Sequence, residues 1–168
     1  MPAAKKAPPT AAAAKTDATL LLTRDHAEVH KRFKQYEKLA EAKADGSDRQ
    51  ALAEEICTML TVHATIEEEI FYPAAREAGV ESALLDEAEV EHASAKDLIA
   101  QIRAMGPEED LYDAKVKVLG EYIDHHVAEE QDEMFPKCRK TNMDLAGIAT
   151  RLGERKAELM AEAAEEVV

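Results

Sequence analysis

Two copies of one cassette hold the residues of this chain that are best placed to do chemistry. His63, Glu67 and Pro73 lie in HATIEEEIFYP, and His126, Glu130 and Pro136 lie in HVAEEQDEMFP. In each, the glutamate follows the histidine by four residues and the proline follows the glutamate by six. A further histidine precedes each cassette: His26 lies 37 residues before His63, and His92 lies 34 before His126. Four residues at about 3.6 per turn return to nearly the same azimuth, so each histidine and its glutamate share a helix face. One such pair carries little information. Two, each with an upstream histidine at a matched distance, point to a metal site assembled from four helices.

The segments that must position these residues have apolar stripes stepping by three and four. The first, roughly Ala18 to Ala44, reads Leu22, His26, Val29, Phe33, Tyr36, Ala40. The second, from about Asp48 to Ala78-Gly79, reads Leu52, Ile56, Met59, His63, Glu67, Ile70. The third, from near Ser82 to Gly106-Pro107, reads Leu85, Ala88, His92, Ala95, Ile99, Ile102. The fourth, from about Glu108 to Lys140, reads Leu119, Tyr122, His126, Glu130, Met134. Asp48 and Ser82 are the candidate N-caps. A shorter helix from about Leu145 to Glu165 follows, with Leu145, Ile148, Leu152 and Leu159 on one face; its blander role is to cover the bundle, its other role to join copies.

Connections this short make sequential helices antiparallel neighbours. The predicted fold is all-α: an antiparallel up-down four-helix bundle of two pseudo-symmetric hairpins, plus a short C-terminal helix. Residues 17–141 form the bundle and 142–168 the C-terminal helix, while 1–16 read as a disordered Ala/Pro/Lys tail. Each long helix thus turns one histidine towards the core, and two turn a glutamate there as well. Burying such groups without partners costs a few kcal/mol each, on the order of 2–7. A central cation satisfies all six at once.

Composition agrees with an all-helical reading: no Trp, only six Gly, and abundant Ala, Glu, Leu and Lys. A net charge of −14 argues against a nucleic-acid partner, which would need a basic face. No stretch reads as a membrane span or secretory signal, which predicts a cytoplasmic protein without a membrane partner. Cys57 and Cys138 lack CxxC spacing; Cys57 is expected to be buried and Cys138 exposed. Glu68, Glu69, Glu129, Asp132 and Glu133 read as a solvated acidic face. Imidazole with carboxylate suits Fe, Mn, Zn or Cu, and the absence of thiolate ligands removes the usual structural zinc and iron–sulfur sites.

The pattern His26…His63-x-x-x-Glu67…His92…His126-x-x-x-Glu130 resembles the bacterial hemerythrin-like (HHE cation-binding) family over about residues 20–140. The resemblance implies a non-haem centre of two iron ions, Fe2+ or Fe3+, joined by an oxo or hydroxo bridge, with Mn or Zn as substitutes. It implies His26, His63, Glu67, His92, His126 and Glu130 as ligands, Glu67 and Glu130 bridging, and O2, peroxide or NO as the small partner. Oxygen-carrying members have a fifth histidine four residues after the one on the third helix; here that position is Lys96. His30, four residues after His26, is the equivalent place in the other repeat and a candidate fifth imidazole. His125 also neighbours the last ligand, but the repeat alignment favours His126 and leaves His125 beside it or at the surface.

Two rivals are weaker. A plain bundle would place four histidines in register by accident. A ferritin-like carboxylate bundle needs Glu-x-x-His on two helices, and only Glu89-Val-Glu-His92 has that spacing. Within the metal reading, an oxygen or redox-responsive binding protein is favoured over a di-iron enzyme acting on peroxide or nitric oxide, and over an iron storage or regulatory protein. The oligomeric state is open.

Overall fold

The computed structural model describes residues 16–167, so the expected tail, Thr16 excepted, lies outside the described residues. Asp17 starts the first helix, its carboxylate accepting the Leu20 amide at 3.0 Å and satisfying one of the first-turn donors that lack an intrahelical partner. In chain order the helices are α1 (Ala18–Glu41), α2 (Gly46–Ile66), α3 (Tyr72–Glu77), α4 (Ser82–Arg103), α5 (Tyr112–Glu129), α6 (Phe135–Arg139) and α7 (Leu145–Glu166). There is no strand among the described residues. α1 packs on α2 and α4 on α5, the two expected hairpins, and α7 lies against α1 and α2.

Between α2 and α3, and again between α5 and α6, the helix widens into a π turn, Glu67–Phe71 and Glu130–Met134. The amide of Tyr72 reaches back to the Glu67 carbonyl, and that of Phe135 to the Glu130 carbonyl, five residues each. The cassette proline explains this. Pro73 and Pro136 have no amide to donate, and a proline ring clashes with the carbonyl four residues earlier, here on Glu69 and Asp132. Widening relieves the clash and advances the register. An uninterrupted helix would have used Ile70 as its next core position; instead Phe71 and Tyr72 are both buried, and Met134 and Phe135 likewise.

The core divides into two apolar ends with a polar layer between them. One end holds Leu22, Ile66, Phe71, Leu85, Phe135 and Leu152; the other holds Val29, Phe33, Ile56, Ile99 and Leu119. His26, His63, Glu67, His92, His126 and Glu130 form the layer; His63 is 13% exposed and the other five are 0–5% exposed. At the far end from α7's start, Arg49 ties the bundle together, donating to the carbonyls of Ala44 and Pro107 and to Asp113, which also accepts from Tyr36.

Several local expectations are corrected. α5 starts at Tyr112 rather than near Glu108, after Leu111 in the left-handed region (φ 72°). Tyr122 is exposed, and Ile123 takes its place facing inwards, because the step from Leu119 is four rather than three. Cys138 is buried, three residues beyond Phe135 on the face that the π turn directs inwards. Asp48 and Ser82 lie inside the first turns of their helices, not at the caps. α7 begins with Asp144 accepting the Gly147 amide at 3.0 Å, buries Ile148 and Leu152 on the bundle, and sends Arg155 to Glu69 at 2.8 Å.

Candidate metal centre

α1 and α4 contribute one histidine each, and α2 and α5 contribute a histidine and, at the entrance of each π turn, a glutamate. The six side chains named from the spacing converge on the polar layer in two overlapping sets. One set is His26, His63, Glu67 and Glu130; the other is Glu67, His92, His126 and Glu130. The Nε2 atoms of His26 and His63 are 3.1 Å apart, as are those of His92 and His126. Glu67 Oε1 lies 2.9 Å from His63 Nε2 and Glu67 Oε2 3.1 Å from His92 Nε2. Glu130 matches it across the layer, 3.0 Å from His126 Nε2 and 3.2 Å from His26 Nε2. Both glutamates therefore touch both halves.

The outer ring nitrogens are held from behind. His63 Nδ1 donates to Asp25 at 3.1 Å, His126 Nδ1 to Glu91 at 3.2 Å, and His26 Nδ1 to the Gln131 side-chain oxygen at 2.8 Å. Such partners fix the tautomer of the neutral ring, so that the Nε2 atoms of His26, His63 and His126 can turn a lone pair to the layer once they carry no proton. His92 Nδ1 has no hydrogen-bond partner; its nearest acid, Glu68, is 3.8 Å away. These partners lie outside the histidine–glutamate spacing of the cassette. Their signal was present, since Asp25 and Glu91 immediately precede His26 and His92, and Gln131 and Glu68 immediately follow the two glutamates.

The halves are not identical. Tyr72, on α3, donates its hydroxyl to Glu130 Oε1 and lies 3.2 Å from Glu67 Oε2 and from His92 Nε2. In the other repeat the position is Phe135, which stacks on His26 with ring centroids 5.9 Å apart. Burial and then the charges of Glu67 and Glu130 push the Tyr72 phenol well above its ordinary range, so it stays protonated beside them. A further asymmetry lies outside the bundle: Lys156 of α7 reaches Asp25, the residue behind His63. Burial alone would raise the Asp25 carboxyl, but His63 and Lys156 hold it below its usual value.

His30 and Lys96 do not decide how the halves differ. His30, the candidate fifth imidazole, is half exposed, points to Asp124 at 3.1 Å, and stands outside the converging set. Its azimuth on α1 carries it round towards α5. Lys96 pairs with Glu68 at 2.7 Å at the rim. His125 is 67% exposed and contacts Glu129 at 3.1 Å, while its neighbour His126 faces inwards. The expected acidic face is partly structural, with Glu68 and Glu129 half buried and Glu69 tied to α7.

Burial disfavours charge on His63 and His126, yet the carboxylates around them prevail. Glu67 and Asp25 push His63 up to about 10, and Glu130 and Glu91 push His126 up to about 11. Glu67 is held well below the usual carboxylate range, burial being outweighed by His63 and His92. The layer thus attracts positive charge strongly, whether protons or a cation. Glu67 Oε1 and Glu130 Oε2 are buried and close to imidazoles but not aligned with them for hydrogen bonding, which leaves two carboxylate oxygens aimed at the interior without a donor.

A model of the hemerythrin HHE cation binding domain matches residues 17–138. Among solved structures, the chain is similar to a hemerythrin HHE cation binding domain-containing protein from Mycobacterium kansasii, at 20% identity and a TM-score of 0.74, over 90% of this chain and 92% of that one. None of the curated proteins matches in sequence. No helix is long and apolar enough to cross a membrane, among the described residues. With the doubled His/Glu layer and the family match over most of its length, the chain belongs to the hemerythrin HHE cation-binding domain family.

Proposed function

We propose that this chain is a non-haem di-iron protein that binds or senses oxygen or related redox-active small molecules at the layer of His26, His63, Glu67, His92, His126 and Glu130. What carries the reading is the donor set: four imidazoles whose Nε2 atoms face two carboxylates, each carboxylate in reach of both pairs. The two orphaned oxygens, Glu67 Oε1 and Glu130 Oε2, fit this role: each is free to meet a cation while the other oxygen of the same carboxylate lies against the Tyr72 hydroxyl. Nitrogen and oxygen donors without thiolate suit iron and also accept manganese or zinc. Iron would supply reversible one-electron chemistry at this buried position. The chain's own residues do the rest. Asp25, Glu91 and Gln131 orient the imidazoles, Phe71 and Phe135 exclude water from one side, and Tyr72 holds a proton at Oη against Glu130.

Tyr72 favours a second reading, an enzyme acting on peroxide or nitric oxide. A protonated phenol beside the centre is a proton source that simple reversible binding does not require. Two buried free thiols, Cys57 and Cys138, support placing the protein in the reducing cytoplasm.

The test is anaerobic purification, a metal count, and spectra on adding oxygen, peroxide and NO. Two iron ions per chain with an oxygen-dependent band that reverses on degassing support the binding reading; rapid peroxide or NO turnover supports the enzyme. Fewer than about one metal per chain, or full metal retention in His63→Ala/His126→Ala, sinks both.

A further inference from the structure

On the side of the polar layer away from Tyr72 and Phe135, the helices do not close over the histidines. A cavity of about 490 Å³ reaches His26, His63, His92 and His126. Its inner wall is one apolar residue per long helix, each about a turn from that helix's histidine: Val29, Met59, Ala95 and Ile123. From there the space runs outwards beneath the last turns of α7, past Met160 and Ala163.

Its size and lining indicate what it takes. A molecule the size of water, oxygen or peroxide takes about 30 Å³. The cavity falls instead in the roughly 300–1,000 Å³ range of sites that enclose organic ligands. Each cation on its wall is already paired: Arg32 with Glu28 and Glu55, Lys96 with Glu68, and Lys156 with Asp25. None is left to hold an anionic head group, and Glu28, Glu54 and Glu55 at the rim disfavour one.

The geometry points to a binding site for an uncharged, largely apolar organic molecule, held with one end against the four-histidine layer and the other beneath α7. This rests on the di-metal reading and adds to it: the centre meets an organic partner as well as a diatomic one. The polar end of such a molecule would face the layer, since polar groups are scarce elsewhere on the inner wall.

The test uses the iron-loaded full chain and 1-aminoanthracene, an uncharged fluorophore that brightens in apolar surroundings, with metal counted in the same samples. Saturable binding of one molecule per chain is expected, with a shift in the visible bands of the loaded centre. Ala95→Phe fills the inner wall and Ala163→Trp the outer passage, and each should weaken binding about tenfold or more. Ala163 is only partly buried, near the end of α7 and away from the bundle core, so that variant is expected to fold even if Ala95→Phe does not. No saturable binding by metal-loaded protein, equal binding by Ala163→Trp, or binding that leaves the centre's spectrum unchanged overturns the proposal. Chains that bind the fluorophore but no metal would instead overturn the di-metal reading and leave the cavity site standing.

Discussion

Tyr72 and Phe135 occupy equivalent places in the two repeats, each the first residue after a π turn, and only Tyr72 carries a hydroxyl to the carboxylates. The two halves of the centre therefore meet different chemistry on one side: a protonated phenol near His92, an aromatic face on His26.

Tyr72→Phe should make the halves more alike. The variant loses one buried hydrogen bond to a charged acceptor, worth about 1.5–3 kcal/mol, and keeps the packing. Mössbauer spectra of the iron-loaded protein are expected to show two distinct iron environments in the parent chain and closely similar ones in the variant. If the parent's two sites are already indistinguishable, Tyr72 does not differentiate them.

Proton and metal should compete at the layer, with a sign set by the raised histidines. In the metal-free chain His63 sits at about 10 and His126 at about 11, above the unfolded value of about 6.5. Their contribution to stability is fully present below about pH 6.5 and is lost as pH rises through the folded values. Glu67, lowered in the fold, acts at the other end, losing its contribution as pH falls below the ordinary carboxylate range. Metal needs neutral imidazoles, so its affinity rises with pH as those protons leave. The gap in melting temperature between loaded and metal-free protein should widen from pH 6.5 to 9. A constant gap in differential scanning fluorimetry would contradict this.

Lys156 should act on one half only. Replacing it by Met leaves Asp25 without its cationic partner but does not touch Glu91 behind His126. Residues that orient ligands from behind change metal affinity by about 10–100-fold. Stepwise metal titration should show one of two binding steps weakened in Lys156→Met, with Lys156→Arg restoring it. The expected complement is Glu91→Ala weakening the other step.

The π turns should depend on the prolines. Pro73→Ala restores an amide that can donate to the Glu69 carbonyl, so the α2–α3 segment can revert to ordinary helical register. That reversion would turn Tyr72 away from Glu130 and expose apolar surface from Phe71. A loss of about 1–3 kcal/mol in urea unfolding and a changed metal spectrum are expected. Pro136→Ala should disturb the Phe135 side and spare the Tyr72 hydroxyl.

Much of this protein was legible in its sequence because the determinants are local. Four stripes with steps of three and four specify amphipathic helices, short connections make them antiparallel, and four-residue spacing puts each histidine over its glutamate. All six side chains so identified lie together in the layer. Tertiary structure decided what depends on contacts across the bundle or on a break in periodicity. The π turns shift register by less than a stripe can reveal, so Ile70 gave way to Phe71 and Tyr72, and Cys138 went inside. His30 and Lys96 stand in matching sequence positions, yet azimuth and neighbouring charge took both to the surface. Asp25, Glu91 and Lys156 became partners of the centre only when helices far apart in sequence were packed side by side. Helical periodicity is a property of one segment, whereas an ion pair between α1 and α7 and a cavity beneath them are properties of the packing.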